Sequence, residues 1–244
     1  MDGGWFFFDR TALRQLADRH RSAYAAARPF AHVAIDGFLP AEVFARLAAG
    51  FPSPDHPDWK RKDHAEQSAR LGGLQRTGFA GVDPFVRHLL NEVNGMAFLD
   101  FLERLTGVSG LVPDPHFLGG GLHLTLPGGH LDLHADFGRD RRRGLSRRLT
   151  LLLYAESAWE PSWGGELELW DAGVVRCEAR LAPTPNRLVV LSHGDDHWHG
   201  HPAPLGCPAD RARKVLAAYY YAVPGAGESD DAGRGATWVR PAAR

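Results

Sequence analysis

The stretch HLDLHADF, residues 130–137, combines the pattern of a β-strand with side chains that bind metals. Leucines alternate with polar residues, and residues two apart in a strand point to the same face. His134 and Asp136 would therefore present an imidazole nitrogen and a carboxylate oxygen side by side. His130 and Asp132 repeat the spacing, and we interpret them as solvated or as outer neighbours of a site.

The sequence around this stretch has the pattern of an all-β fold. From about residue 117 onward, runs of strand length are separated by Gly, Pro and Asn turn signals. These runs are FLGGGLHLTL, HLDLHADF, RRLTLLLYAE, GGELELWD, VVRCEARL, NRLVVLSHG and KVLAAYYYAV. Short strands without intervening helices predict a sandwich or a small barrel. We interpret the two glycines of GGELELWD as a tight turn without a chemical role.

The first part of the chain is predicted to be mainly helical. TALRQLADRHRSAYAAARPF has a helical apolar period, AHVAIDGFLP is typical of a short strand and a turn, and PAEVFARLAAGF predicts a second helix. DPFVRHLLNEVNGMAFLDFLERLTG predicts one long amphipathic helix that ends at Gly107.

Two polar segments are predicted to be loops. Residues 52–82 are rich in Pro, Gly, Asp and basic residues, and loops of that length are usually functional or mobile. Candidates for a substrate lid in this segment are Trp59, Lys60, Arg61, His64 and Arg76. We interpret the basic run RDRRRGLSRR, residues 139–148, as a solvated loop. In an alternative interpretation, the positive charges of its residues Arg141 to Arg143 steer an anionic substrate.

Composition narrows the class of protein. The chain has 244 residues and a formal net charge of -1, so no global field attracts nucleic acid or an anionic membrane. Two cysteines, Cys177 and Cys207, lack neighbours at metal-ligand spacing, which favours a reducing cytoplasm. No segment approaches the roughly 20 apolar residues of a spanning helix, and MDGGWFFFDR lacks the features of a signal peptide. We expect a cytoplasmic protein without nucleic-acid or membrane partners.

A metal site needs a third ligand from another strand. The segment HGDDHWHGHP offers four histidines: His193, His197, His199 and His201. Alternation would place the last three on one face, so each is an alternative third ligand beside His134 and Asp136. Two histidines and one carboxylate leave three positions open, which is the arrangement of non-haem Fe(II) oxygenases. A hydrolytic zinc site could use the same ligands.

Five blocks in order resemble the 2-oxoglutarate- and Fe(II)-dependent dioxygenase superfamily, and within it the prolyl 4-hydroxylase-like branch. They are LHADF, R-x-L-T-L-L-L-Y, W-x-x-x-WGGELELW, H-W-H-G-H-P and D-R-A-R-K-V-L-A-A-YYY, across roughly residues 117–223. The resemblance implies a mainly β fold with flanking helices, a double-stranded β-helix of the jelly-roll type. It implies one compact domain: a helical support region with a substrate-side loop (1–110), a catalytic core (111–224) and a tail (225–244).

The resemblance also implies roles for the metal-binding residues. His134 and Asp136 match the first two iron ligands. His199 matches the third, because it lies in a Trp-His-Gly-x-Pro context, and His197 and His201 stay open as alternatives.

A second set of residues is implied to bind the co-substrate. Arg213 matches the basic residue that holds the distal carboxylate of 2-oxoglutarate, and a guanidinium suits that group because its donors are paired in a plane. Arg211 would share its face and is the alternative. Further expected contributors to this pocket are Tyr154, whose phenol matches a carboxylate donor, Thr150 and Arg148 on its face, and His123 and Thr125 where family members commonly have a tyrosine.

The implied activity is hydroxylation of an unactivated C–H bond in a small molecule or amino-acid-derived substrate, with release of CO2 and succinate. The implied cofactors are Fe(II), 2-oxoglutarate as co-substrate and O2, with ascorbate as a reductant. Asp136 fills the position that related halogenases open to chloride, which favours hydroxylation, while desaturation and cyclisation stay open. Alternatives are a prolyl hydroxylase acting on a peptide or ribosomal protein, a zinc-dependent hydrolase, and a non-catalytic jelly-roll binding module. We expect a monomer or homodimer.

Overall fold

The computed structural model describes residues 6–225 and 235–240, which form a β-barrel with helices packed against it. The helices are α1 (Arg10–Ala26), α2 (Ala41–Gly50), α3 (Pro84–Glu92) and α4 (Met96–Thr106). The strands are β1 (His32–Ile35), β2 (Lys60–His64), β3 (Gln67–Gly72), β4 (Val112–Pro113), β5 (Gly121–Ala135), β6 (Arg139–Asp140), β7 (Leu145–Tyr154), β8 (Leu167–Trp170), β9 (Cys177–Leu181), β10 (Leu188–Ser192), β11 (His199–His201), β12 (Arg213–Ala222) and β13 (Thr237–Val239). No helix in the described residues combines the length and apolar content that crossing a membrane requires.

The strands pair as an antiparallel sheet that curves into the barrel. Its main path runs β1-β10-β7-β12-β5-β11-β8-β9, and β3 and β13 add to β5. The long β5 replaces two predicted strands, FLGGGLHLTL and HLDLHADF, because the strand runs on through the glycines between them, where its pairing with β3 shifts register. The architecture is mainly β with flanking helices, a double-stranded β-helix, and that prediction is confirmed.

β7 shows how the barrel separates an apolar layer from a cavity. Leu151 is fully buried in the cluster that includes Phe98 and Leu102 of α4. Thr150 and Leu152, the neighbours of Leu151 in sequence, line the cavity on the other face. This alternation has the period of two that a strand imposes. Leucine-rich strands and amphipathic helices therefore bury each other and leave the inner face free for polar side chains.

The segment predicted as one helix over residues 83–107 is two helices, so that prediction was wrong. The backbone N–H of Gly95 donates to the carbonyl of Glu92 at 2.9 Å. The hydroxyl of Tyr220 on β12 donates to the carbonyl of Val93 at 2.8 Å. A Cβ on Gly95 would lie 3.1 Å from the Glu92 oxygen, so the tight turn favours glycine. Tyr220 of the barrel thus binds the Val93 carbonyl in the turn between α3 and α4.

Residues 52–82 contain a β-hairpin, so the prediction of a long loop was wrong. β2 pairs with β3, and β3 pairs with β5, where Gln67 lies opposite Leu131 and Arg70 lies opposite Thr125. The side chains of β2 are mostly exposed and charged. Strand preference depends on packing against neighbours, which a charged sequence does not reveal.

Part of the predicted tail, residues 225–244, also belongs to the sheet. Thr237–Val239 form β13 along β5. Residues 226–234 and 241–244 lie outside the described residues.

Candidate active site

His134, Asp136 and His199 meet at one end of the barrel cavity. His134 on β5 lies directly opposite His199 on β11, and Asp136 follows the end of β5. One ligand atom from each residue lies within 4.8 Å of the other two. His134 Nε2 is 3.7 Å from Asp136 Oδ1, and His199 Nε2 is 3.8 Å from Asp136 Oδ2. The three side chains are close enough to bind one ion.

The two histidines are held with one ring nitrogen available to a metal. Nδ1 of His134 donates to the carbonyl of Asp132 at 3.0 Å, and Nδ1 of His199 donates to the carbonyl of His197 at 2.9 Å. In a neutral ring, the lone pair is then on Nε2. Burial, assisted by the adjacent His199, lowers the pKa of His134 to about 3, so this ring is neutral near pH 7.

Asp136 is oriented by Arg147 and Thr150. Its Oδ2 lies 2.7 Å from Arg147 Nη1 and accepts a hydrogen bond from Thr150 Oγ1 at 2.8 Å. The Arg147 guanidinium is sandwiched 3.8 Å from the ring centroid of Phe137 and 3.7 Å from that of Tyr219. Burial alone would raise the pKa of Asp136, but Arg147 lowers it below its usual range. Neutral imidazole and ionised carboxylate are the donors that suit Fe(II).

Arg147 takes the position that sequence alternation assigned to Arg148. On the pairing between β7 and β12, Leu149 lies opposite Tyr220, whereas Arg147 lies opposite the next residue of β12. The extra residue, Arg148, forms a bulge, and the alternation of side chains reverses beyond it. The prediction that Arg148 shares the face of Thr150 was therefore wrong. The interpretation of the whole basic run as a solvated loop was also wrong, since Arg147 is 1% exposed.

The two rival histidines lie apart from the cluster. His197 precedes β11, stacks on Phe30 at 4.3 Å between ring centroids, and bonds through Nδ1 to the carbonyl of Ser192 at 2.9 Å. His201 lines the cavity, but the pairing of β11 with β5 shifts between His199 and His201. Among the described residues, the group whose ligand atoms lie close enough together to hold a metal ion is His134, Asp136 and His199.

The cavity, about 220 Å³ in volume, extends from these three residues to Arg213. Arg213 begins β12, and its Nε donates to the carbonyl of Gly165 at 2.9 Å while Nη2 donates to the Tyr154 hydroxyl at 3.0 Å. Because the Tyr154 oxygen accepts this bond, its own proton can be donated elsewhere. Burial raises the pKa of Tyr154, although Arg213 opposes the shift, so the phenol keeps that proton.

Gly165 of GGELELWD makes room for the Arg213 side chain, in addition to the turn that was predicted from the sequence. Its φ is +76°, and a Cβ there would lie 2.7 Å from Leu205 Cδ2 and 3.3 Å from Arg213 Cδ. Glycine therefore permits both the turn and the close approach of the Arg213 side chain.

The other predicted co-substrate residues divide between the cavity and the surface. Arg211 precedes β12 and forms ion pairs with Glu156 at 3.4 Å and Asp210 at 3.8 Å, so it does not share the cavity face with Arg213. His123 and Thr125 line the cavity from β5. Burial lowers the pKa of His123 well below its usual value, so its ring is neutral.

Trp238 is a cavity residue that sequence reasoning missed. It lies opposite His134 in the pairing of β13 with β5, and the two ring centroids are 5.0 Å apart. Arg240 Nε donates to Asp132 Oδ2 at 3.0 Å and fixes the same segment. A three-residue strand is too short to show a periodic pattern. The one feature of the sequence that could have indicated a buried residue here is a tryptophan in an Ala- and Gly-rich tail.

The barrel matches a known family. Residues 120–221 match the family model of the 2OG-Fe(II) oxygenase superfamily. The matched residues are those of β5 to β12, so this part of the barrel resembles a 2OG-Fe(II) oxygenase domain. The oxygenase uses Fe(II) and 2-oxoglutarate, and the donor set described above fits that metal. No curated protein sequence matches the chain.

Solved structures share the fold of this oxygenase at low sequence identity. A prolyl-4-hydroxylase from Pseudomonas putida has a TM-score of 0.55 and 21% identity over 86% of this chain and 98% of its own. A prolyl hydroxylase from Trichoplax adhaerens, in complex with a hypoxia inducible factor peptide fragment, has a TM-score of 0.60 and 14% identity over 86% and 91%. HygX from Streptomyces hygroscopicus, with nickel and 2-oxoglutarate bound, has a TM-score of 0.52 and 12% identity over 85% and 91%.

Proposed function

We propose that this oxygenase hydroxylates an unactivated C–H bond of a small molecule or amino-acid-derived compound and releases CO2 and succinate. The proposal is supported above all by one arrangement: a set of two histidines and a carboxylate shares one cavity with a buried arginine, and that arginine donates to the hydroxyl of Tyr154. His134, Asp136 and His199 would hold Fe(II), and Arg213 would bind the distal carboxylate of 2-oxoglutarate.

Bound Fe(II), with 2-oxoglutarate and O2, supplies the oxidant for the C–H bond. The residues of the chain bind and orient the reactants. Tyr154, which accepts from Arg213, would donate its proton to the carboxylate that Arg213 binds. Arg147 and Thr150 would keep Asp136 ionised and correctly turned. Apolar side chains of the cavity wall limit the access of water, and they include Leu131, Leu152, Leu167 and Val215.

A prolyl hydroxylase acting on a peptide is the second candidate. The Trichoplax adhaerens relative was solved with a peptide, and an open groove of about 1090 Å³ adjoins the cavity of this chain. We place this candidate second because a shared fold does not determine the substrate.

The decisive experiment measures 2-oxoglutarate binding and succinate formation with Fe(II). For Arg213→Gln we expect the Kd of 2-oxoglutarate to rise at least about 30-fold, since loss of one partner of a buried charge pair costs roughly 2–5 kcal/mol. Tyr154→Phe should raise the Kd of 2-oxoglutarate by a smaller factor, at least about 10-fold, because it removes one hydrogen bond to a charged group.

Arg211→Gln is the matched control, because this arginine is two residues away and outside the cavity. It should leave the Kd within two-fold. Equal Kd values for wild type and Arg213→Gln, or wild-type protein that forms no succinate from 2-oxoglutarate, would refute the proposal.

We also propose a cytoplasmic location. Cys177 and Cys207 are free thiols, which supports a reducing compartment.

A further inference from the structure

Four cavity residues form one row across four neighbouring strands. In the paired registers, Lys62 on β2 lies opposite Arg70 on β3, Arg70 lies opposite Thr125 on β5, and Thr125 lies opposite Arg213 on β12. Residues in such a row share a face of the sheet, and all four line the cavity. The proposed binding of 2-oxoglutarate accounts for Arg213. It leaves Lys62 and Arg70 without a role.

Lys62 and Arg70 are a like-charged pair at directly opposed positions, which destabilises a hairpin. Arg70 Nη1 donates to the neutral Gln67 side chain at 2.8 Å, and Arg70 Nε is buried without a hydrogen-bond partner among the described residues. Burial and the charge of Arg213 lower the pKa of Arg70 to about 10. Burial and the charge of Arg70 lower the pKa of Lys62. An arrangement that costs stability and gives neither cation an acidic partner among the described residues points to a ligand.

The cavity provides no counter-charge for this pair. Asp136 is the one acidic residue among the described side chains that line it, and Asp136 is already paired with Arg147. Fe(II) and the 2-oxoglutarate dianion cancel each other in charge, so Arg213, Lys62 and Arg70 leave the cavity with a surplus of positive charge. Lys62 and Arg70 would therefore stay unmatched when both cofactors are bound, and a buried charge without a partner is costly.

The groove outside the cavity carries charge of the same sign. Arg76, Arg87 and Arg142 line it, and none of its described lining residues is acidic. These three arginines are exposed and form no ion pair with the described residues. Phe137 and Gly119 line both the groove and the cavity, so the two spaces adjoin. A one-signed approach attracts ligands of the opposite charge.

We propose that the substrate of this oxygenase carries a carboxylate, which Arg70 and Lys62 bind from the β2–β3 hairpin. This inference rests on the proposed function, because it assigns the substrate class of the same site. A guanidinium and an ammonium on adjacent strands match the two oxygens of a carboxylate. A free organic acid and an acidic side chain of a peptide offer the same group, and the test separates them.

The test uses full-length protein saturated with Mn(II) and 2-oxoglutarate, so that no turnover occurs. Acetate is titrated against acetamide at matched ionic strength, and binding is followed by the shift in Tm and by calorimetry. We expect acetate to bind at least ten-fold more tightly than acetamide, and Arg70→Gln to remove this preference. A second arm compares capped peptides that differ only in Glu against Gln. A Glu preference that exceeds the acetate preference and depends on Arg70 identifies an acidic peptide as the source of the carboxylate.

Arg61→Gln is the matched control. It removes the same charge from the same strand, but Arg61 is exposed and paired with Asp63. It should leave the acetate preference unchanged. The Kd of 2-oxoglutarate should stay within two-fold in Arg70→Gln. A rise comparable to that of Arg213→Gln would assign Arg70 to the co-substrate and overturn the inference.

Lys62→Met provides a readout that a structural role would not produce. In protein without ligands it should raise the Tm, because it removes repulsion from Arg70, and a lowered Tm would contradict the inference. This variant also replaces Arg70→Gln in the acetate test if the latter does not fold. Protein that binds 2-oxoglutarate and forms succinate, yet binds acetate no better than acetamide, refutes this inference alone. Protein that neither binds 2-oxoglutarate nor forms succinate refutes the proposed function.

Discussion

The two faces of β7 and β12 differ in what their side chains contribute. On the helix-facing side, Leu149, Leu151 and Leu153 of β7 and Tyr220 of β12 join one apolar cluster with α4. On the cavity side, Thr150, Tyr154 and Arg213 each have a particular polar partner. An apolar layer tolerates substitutions that conserve volume, whereas a polar network depends on each of its members. The same strands therefore carry stability on one face and chemistry on the other, and substitutions on the two faces should separate these properties.

The largest expected effect on the cavity face is that of His199→Ala. Loss of a metal ligand should lower succinate formation and metal affinity by more than about 100-fold, because replacing even the outer partners of metal ligands costs roughly 10–100-fold. The free energy of unfolding without metal should change little. Metal titration and circular dichroism measure the two quantities. His197→Ala is the control, and equal losses in both variants would mean that the third ligand is misassigned.

Arg147→Met should show that a partner of one cavity residue also affects stability. It leaves the buried carboxylate of Asp136 without its cation, which should lower the free energy of unfolding by about 3–5 kcal/mol. Urea unfolding measures this loss. Asp136→Asn in the same chain should recover part of it, because the uncompensated charge is then gone. If Arg148→Met destabilises the protein more than Arg147→Met does, the position of the bulge is wrong.

Leu151 and Leu152 compare the two faces with one substitution at adjacent positions. Leu151→Ala should lower the free energy of unfolding by about 2–5 kcal/mol, the usual cost of a cavity in a packed core, and leave the Kd of 2-oxoglutarate unchanged. Leu152→Ala borders an existing cavity, so it should cost less stability and weaken 2-oxoglutarate binding. Urea unfolding and calorimetry on both variants test this. Matching profiles for the two variants would contradict the separation of faces.

The residues proposed to bind the metal and 2-oxoglutarate could be predicted from the sequence, whereas several residues around them could not. His134 and Asp136 are two residues apart, so strand geometry alone places them together, and the ordered blocks of the family carry His199 and Arg213. Arg147 and Arg70 escaped prediction because their places depend on pairing between strands. A bulge reverses the alternation at Arg148, and register across β3, β5 and β12 aligns Arg70 with Arg213.

The fold class followed from the leucine-rich runs, but element boundaries did not. The break at Gly95 depends on a hydroxyl from β12, which is distant in sequence. The β2–β3 hairpin has charged, exposed side chains, and its order comes from pairing with β5. Local patterns predict elements that bury their own apolar face, and they miss elements that a neighbour stabilises.

The smallest expected effect lies outside both faces, at Asp100 of α4. Its carboxylate accepts hydrogen bonds from Arg14 at 2.6 Å and Arg10 at 3.0 Å on α1, and these bonds lower the pKa of Asp100 below its usual value. A carboxyl with a lowered pKa stabilises the fold at pH values above its pKa in the unfolded chain, and this contribution is lost as the pH falls towards the folded pKa.

Asp100→Asn should therefore lower the free energy of unfolding by up to about 1 kcal/mol at pH 7, a modest value because both arginines are half exposed and screened by solvent. The difference between wild type and variant should persist at pH 5 and shrink below roughly pH 4, where the carboxyl of the unfolded chain is protonated. Urea unfolding at pH 7, 5 and 3 measures it, and added salt should reduce it at pH 7. A difference that grows on acidification would contradict the ion pairs as its source. No change in 2-oxoglutarate binding is expected, since no described residue of α1 or α4 lines the cavity.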